Sequence, residues 1–334
     1  MEYDVVTIGA GPIGIFSAFQ AGMLGMKICI IDSADIIGGQ CNILYPEKPI
    51  YDIPAYDKIN ASKLIENLEK QASQFNPTYI LDNKIFDIKK IDEHFVIYTS
   101  KNLKIKSKIV LIAAGSGEFI PNKPPIDSIN KYEDKSIFYN VTNKKIFQDK
   151  KVLIAGGGDS ALDWSLELLD IAKKIFLLHR RNKFRASQSN INKLQDLIQK
   201  YPEKIEIIAP FQLHDFKGNG NSLTQVIVKD LKNNQKILDV DFALLFFGLV
   251  QNIGHLANIG VQMKGHYVNV DPIHYQTNIE GIYAIGDVAH YQGKIKLILT
   301  GFAEATSALY HAYPRVFENK PLHFEYSTTK FQKK

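Results

Sequence analysis

Two short runs of this sequence hold residue types suited to binding phosphates and ribose. The first is Gly9-Ala10-Gly11-Pro12-Ile13-Gly14, a G-x-G-x-x-G run, and the apolar stretch that follows it ends on Asp32. Gly9 permits a tight turn, Gly11 lets a pyrophosphate approach the backbone, and Gly14 lets a helix pack close on a strand. A carboxylate at position 32 is placed to accept hydrogen bonds from the 2′- and 3′-hydroxyls of an adenosine ribose, which selects FAD or NAD over NADP. The second run is Gly156-Gly157-Gly158-Asp159-Ser160-Ala161, in which Gly156, Gly158 and Ala161 fill the G-x-G-x-x-A positions. Where the first unit has an acid, this one reaches His179-Arg180-Arg181, with Arg185 just beyond. A carboxylate there would repel a 2′-phosphate, whereas guanidinium groups bind it with charge-assisted and often bidentate hydrogen bonds. The second site is therefore expected to prefer NADPH to NADH.

Both runs need a strand before them and a helix behind. Tyr3 to Ile8 is an apolar strand, and a helix running to about Gly25 leads to a second strand, Lys27 to Ile31. The helix N-terminus then points free N–H groups at the phosphates. Beyond Asp32, the stretch Ile37-Gly38-Gly39-Gln40-Cys41, then Leu44 to Lys48 and Ile50 to Pro54, mixes glycine, proline and aromatics. That mixture suits an ordered loop over a ligand. A helix from about Ala61 to Phe75 follows, then a meander over 83–91, 95–100 and 103–106, and a buried parallel strand from Ile109 into Gly115. The polar stretch to Asn143 reads as a domain crossover. The second unit repeats the pattern with a strand Lys151 to Ala155, a helix through Leu169 and a strand Lys174 to Leu178. A hairpin is expected at Gly218-Asn219-Gly220-Asn221, then a strand Phe242 to Phe247, a second crossover, a strand Gly281 to Asp287 and a helix from about Thr300 to Ala312.

The pattern predicts an α/β protein with two Rossmann-like three-layer domains, the second inserted into the first: residues 1–116 and 247–334 form one, residues 117–246 the other. At about 150 residues per domain, the chain's 334 residues agree with two. A hydrophobic content of 45% and a net charge of +5 suit a globular protein that favours an acidic partner, without the basic stripe that nucleic-acid binding needs. The longest apolar run, Phe242 to Val250, is too short to span a bilayer. Met1 leads directly into the first strand, and two cysteines make no disulfide framework, so a reducing cytoplasm is expected. Scattered histidines offer no metal-ligand spacing.

Two dinucleotide units in this order, with Gly38-Gly39-Gln40, His179-Arg180-Arg181 and Gly286-Asp287, resemble the thioredoxin reductase branch of two-domain flavoproteins over nearly the whole chain. That branch's redox dithiol is missing. Phe138 to Thr142 occupies the C-x-x-C stretch without cysteine, and Cys41 has Pro46 where disulfide reductases of the glutathione reductase type have a second cysteine. What stands in its place, Leu44-Tyr45-Pro46-Glu47-Lys48, the run to Trp164 and the tail Tyr326-Ser327-Thr328-Thr329, is similar to ferredoxin:NADP reductases of the thioredoxin reductase-like type. The resemblance implies FAD and NADPH as cofactors, an acidic iron-sulfur protein, ferredoxin, as partner, and a homodimer. It implies hydride transfer from nicotinamide to flavin N5, then single electrons to the carrier, with a rotation of the NADPH domain about crossovers near residues 117 and 247. Tyr45 would stack on one flavin face and Tyr326 cover the other. Gln40, Asp287 and Thr328 would contact FAD, Ile85 and Ile120 would offer backbone near the adenine, and the helix near Thr300 would stabilise negative charge on the reduced ring. Two other readings stay open: an NADPH:quinone or flavin reductase, and a flavin redox sensor without turnover.

Overall fold

The computed structural model describes residues 1–117, 120–250, 253–318 and 320–332. The chain divides into two compact units, residues 1–120 with 251–334 and residues 121–250. The divisions fall slightly later than the 116/117 and 246/247 positions expected from sequence.

In the first unit a seven-stranded sheet is centred on Glu2–Ile8. This strand pairs in parallel with Ile28–Ile31 on one side and with Lys104–Ile112 on the other, so that Val6 faces Cys29 and Val110 in register. Thr78–Ile80 extends the first flank, and Ile282–Ala284 pairs in parallel with the end of Lys104–Ile112. His94–Thr99 and Ile85–Ile91 continue the sheet antiparallel. The central strands are apolar at nearly every position because both faces are covered. On one face Val5, Ile30, Ile109 and Leu111 pack on the helices Pro12–Met23, Ala61–Ser73 and Ile298–Val316; on the other Val6, Ile31, Val110 and Ile112 pack on Ile97, Val268 and Val288.

The third meander strand and the buried parallel strand, expected as two elements, are one strand, Lys104–Ile112. Nothing between them breaks an extended chain. Ser107 is buried and donates to the Ile109 carbonyl at 2.6 Å, and Lys108 reaches the Val316 carbonyl at 2.8 Å. One strand therefore joins the meander, along its first half, to the dinucleotide-type sheet.

The second unit has a parallel five-stranded sheet in the order Ile137–Phe138, Phe242–Phe246, Lys151–Gly156, Lys174–Leu178 and Ile205–Ile208. An antiparallel three-stranded sheet covers one face, and its first two strands, Gln212–Asn219 and Ser222–Lys229, meet at the expected hairpin. The helices Asp159–Glu167 and Gln188–Lys200 lie on the other face. The second of these is not anticipated from sequence, because only Leu194 in it is fully buried and its apolar stripe is short. Its start is set by Ser187, whose hydroxyl accepts from the Asn190 amide at 3.3 Å.

Among the described residues, no helix is long and apolar enough to cross a membrane, and no three His, Cys, Asp or Glu side chains are grouped to hold a metal ion.

Candidate functional site

A cleft of about 1010 Å³ opens in the first unit at the C-terminal ends of its parallel strands, lined by the glycine turn, Asp32, the 39–52 loop, 83–85, Gly286-Asp287 and the start of the last helix. Dinucleotides bind in this place in open parallel sheets. The glycines divide the labour physically. A Cβ at Gly14 would lie 1.9 Å from the Gly9 carbonyl oxygen, so Gly14 exists for helix-on-turn packing. A Cβ at Gly11 would meet nothing within 4 Å, although Gly11 lines the cleft: the space beside it is left for a ligand.

Asp32 forms part of the wall at the far end of the turn. Its two carboxylate oxygens accept from the Ala10 amide at 2.6 Å and the Ala34 amide at 2.9 Å, which fixes the carboxylate in place. Burial raises its pKa above the ordinary carboxylate value, and these backbone donors pull it back down. Beside it stands a residue that sequence reading overlooks. Asn83 is only 5% exposed and lines the cleft, and its Oδ1 has no hydrogen-bond partner among the described residues. A buried amide oxygen of this kind is costly unless something donates to it. Its signal in the sequence, an Asp-Asn turn after a short strand, is too common to single out. Ile85 also lines the cleft.

At the other end, Gln40, Cys41, Tyr45 and Asp287 come together. Gln40 Nε2 lies 3.5 Å from the Ser116 hydroxyl. Tyr45 is half-buried against the core, and its hydroxyl is hydrogen-bonded with the Cys41 thiol. Burial pushes the Cys41 thiol up to about 11, and burial, with Cys41 and Asp287 adding to it, raises the Tyr45 phenol. Both groups stay neutral at physiological pH. The last helix begins at Ile298 rather than near Thr300, and Lys296, Leu297 and Ile298 line the cleft. No side chain caps its N-terminus, so its first amides and its positive dipole end are free to act on a bound anion.

In the second unit the same strand, turn and helix recur. Lys151–Gly156 leads through Gly157 and Gly158 into Asp159–Glu167, with Ala161 buried under the turn. A Cβ at Gly156 would lie 2.8 Å from the Phe246 carbonyl oxygen, as one at its counterpart Gly9 would lie 2.4 Å from the Ala113 carbonyl oxygen, while one at Gly158, like one at Gly11, would meet nothing within 4 Å among the described residues. Arg180, Arg181 and Arg185 are exposed, and all three lie close enough to His179 for their charges to act on it. The Arg185 amide donates to the Gly157 carbonyl at 2.7 Å, tying the basic turn to the glycine turn. His179 lies beneath Gly157 and stacks on Phe184 with ring centroids 5.3 Å apart. Burial, then the guanidinium charges, lower its pKa below the ordinary imidazole value, and its Nε2 has no hydrogen-bond partner among the described residues.

Two of the expected contacts, Tyr326 and Thr328, are not part of the cleft wall, and a third, Ile120, is not fully described. Tyr326 is 71% exposed and meets Phe324 edge-on, with centroids 5.0 Å apart. Thr328 is exposed on the short helix Ser327–Gln332, and neither residue is part of the cleft wall. Ile120 is described only as backbone, in the short strand Ile120–Pro121, and its side chain lies outside the described residues. A flavin cover from this tail is what the family resemblance implies, and the place where a terminal extension docks depends on contacts between distant segments that the tail's own residues do not specify.

The two units carry opposite charge beside alike glycine turns. The first has a fixed carboxylate, an orphaned amide oxygen and an open glycine. The second has three guanidinium groups, an orphaned imidazole nitrogen and an open glycine. The model of the pyridine nucleotide-disulphide oxidoreductases matches residues 3–305. The chain is 57% identical over 331 residues to a protein of Rickettsia massiliae named Ferredoxin--NADP reductase, covering 99% of this chain and 98% of that one. It is 58% identical over 327 residues to one of the same name from Rickettsia conorii, covering 98% and 96%. Among solved structures, the thioredoxin reductase of Lactococcus lactis in its FR conformation matches with a TM-score of 0.77 at 25% identity, covering 95% of this chain and 99% of that one. The T. acidophilum thioredoxin reductase matches with a TM-score of 0.78 at 22% identity, with the same coverage. The fold is that of the thioredoxin reductases, two Rossmann-type α/β domains.

Proposed function

This chain belongs to the pyridine nucleotide-disulphide oxidoreductase family, and on that premise we propose that it is an FAD-dependent reductase that moves electrons between NADPH and ferredoxin. One observation carries the reading. The chain keeps two dinucleotide sites but has no thiol pair: its two cysteines, Cys29 and Cys41, are both free and buried, Cys29 inside a central strand. Electrons that enter from NADPH have no internal disulfide to reduce and must leave to an external acceptor. The relatives named Ferredoxin--NADP reductase identify the class of that acceptor, and a net charge of +5 suits an acidic one.

FAD, when bound, supplies the conversion of a two-electron donor to one-electron steps. The protein's part is to bind, orient and stabilise. Asp32 would hold the adenosine ribose, the backbone at Gly11 would receive the pyrophosphate, and Ile85 and Ile120 would offer backbone near the adenine. Gln40 and Asp287 would contact the ring and ribityl end, and Tyr45 would stack on the isoalloxazine. The uncapped start of Ile298–Val316 lowers the cost of negative charge on the ring. Gly156, Gly158 and Ala161 seat the NADPH pyrophosphate, and Arg180, Arg181 and Arg185 take its 2′-phosphate. Tyr326 and Thr328 stand away from their own chain's cleft. The homodimer we propose offers this tail a second cleft to cover. A reducing cytoplasm suits two free thiols.

The test is an anaerobic titration of the purified protein. NADPH should bleach the flavin absorbance, and oxidised ferredoxin should restore it with two equivalents per flavin. Fast turnover with quinones and poor reduction of ferredoxin would replace the acceptor in this reading, and failure of NADPH to bleach the flavin would point to a sensor.

A further inference from the structure

A fully buried ion pair stands behind the cleft wall, and no part of the proposed chemistry uses it. Glu304, on the second turn of Ile298–Val316, has a side chain 1% exposed, and Lys294, in the loop before that helix, one 6% exposed. The pair is in direct contact. The other Glu304 oxygen accepts from the Gly286 amide at 2.7 Å, and Tyr291 donates its hydroxyl to the carboxylate at 2.8 Å. Tyr291 in turn meets Tyr275, with ring centroids 5.4 Å apart. Tyr275 is held at φ 62, a strained conformation for a bulky side chain, by a turn in which Asp271 accepts three backbone amides.

Burying two charges costs more desolvation than their attraction returns unless further hydrogen bonds complete the site, and apolar residues of similar size would often hold such a position as well. What the pair can do that apolar residues cannot is fix a backbone amide and set a local charge. Its contacts bear on two stretches that form the cleft wall. Gly286, which it holds directly, lines the cleft beside Asp287, and Lys294 stands two residues before Lys296-Leu297-Ile298, the start of the helix. The two stretches touch, since a Cβ on Gly301 would lie 3.6 Å from the Gly286 Cα.

We infer that Glu304 and Lys294 are positioning residues for the flavin, Glu304 anchoring the Gly286-Asp287 turn against the last helix while Lys294 balances the carboxylate so that no net charge stands behind the ring. The inference rests on the FAD reading above. Glu304→Gln keeps an acceptor for the Gly286 amide but leaves the lysine charge unbalanced, whereas Lys294→Met leaves the carboxylate unbalanced. The flavin midpoint potential, measured anaerobically against redox dyes, should rise in Glu304→Gln, fall in Lys294→Met and return close to wild type in the double variant. Glu304→Asp keeps the charge but withdraws the carboxylate by one methylene. It should hold the wild-type potential and release FAD faster on dilution, and it serves if a single charge variant fails to fold. Shifts of the same sign, or unchanged potentials in variants that bind FAD fully, would overturn the inference, as would FAD release from Glu304→Asp at the wild-type rate. A wild-type protein that cannot be loaded with FAD would instead defeat the cofactor reading itself.

Discussion

The choice of NADPH over NADH is the prediction with the most direct arithmetic. Arg180, Arg181 and Arg185 share one exposed turn, tied by the Arg185 amide to the glycine turn proposed to seat the pyrophosphate. A hydrogen bond to a charged group contributes about 1.5–3 kcal/mol when well formed. These side chains are solvated and screened, so about 1–2 kcal/mol each is the appropriate range. At about 1.4 kcal/mol per factor of ten, Arg180→Ala and Arg181→Ala should each raise KM for NADPH roughly 5- to 30-fold. The two arginines would share one phosphate, so the double variant should depart from additivity. KM for NADH, which has no 2′-phosphate, should barely move. The assay is steady-state reduction of ferredoxin, or of a one-electron dye, with each coenzyme at two ionic strengths. Because the contact is ionic and exposed, added salt should narrow the gap between coenzymes in the wild type more than in the double variant. An equal loss with NADPH and NADH would refute the reasoning, since it would mean that the arginines support the turn rather than read the phosphate.

Two neighbouring glycines should fail in different ways. Gly14→Ala places a methyl 1.9 Å from backbone, and the forced shift should cost about 1–3 kcal/mol, seen as a lower Tm even without cofactor. Gly11→Ala meets no atom of the described residues within 4 Å, so it should keep the apoprotein Tm and weaken FAD binding, measured by flavin fluorescence. Burial pushes the thiols of Cys29 and Cys41 up to about 12 and about 11, so at pH 8 roughly one Cys41 in a thousand is thiolate, and fewer at Cys29. Ellman's reagent should therefore react slowly with the native protein and count two thiols after denaturation. His179 has a folded-state pKa below that of the unfolded chain, so the unfolded state binds its proton first as pH falls. Its contribution to stability should be present in full above the ordinary imidazole pKa and lost progressively as pH falls from there through the lowered folded-state value. Tm measured from pH 7.5 to 5 should fall more steeply in wild type than in His179→Gln, and parallel curves would remove the argument.

Much of the site was legible in the residues because its requirements are local. A tight turn, close backbone approach and an acid or a base at the end of the next strand are set within some thirty residues, so Gly9 to Asp32 and Gly156 to Arg185 announce two strand-turn-helix units, one ending in an acid and the other in arginines. The absence of a thiol pair is likewise a property of the sequence alone. Only the tertiary structure decided what depends on contacts between distant segments. It joined two expected strands into Lys104–Ile112, which the sheet stabilises from both sides. It brought Asn83 to the wall beside Asp32, folded His179 under Gly157, and left Tyr326 exposed and outside the cleft wall. It also buried Glu304 and Lys294 against the Gly286 amide. A buried charge is costly except where a partner meets it, and which partner meets it is fixed by packing across the chain rather than by spacing along it.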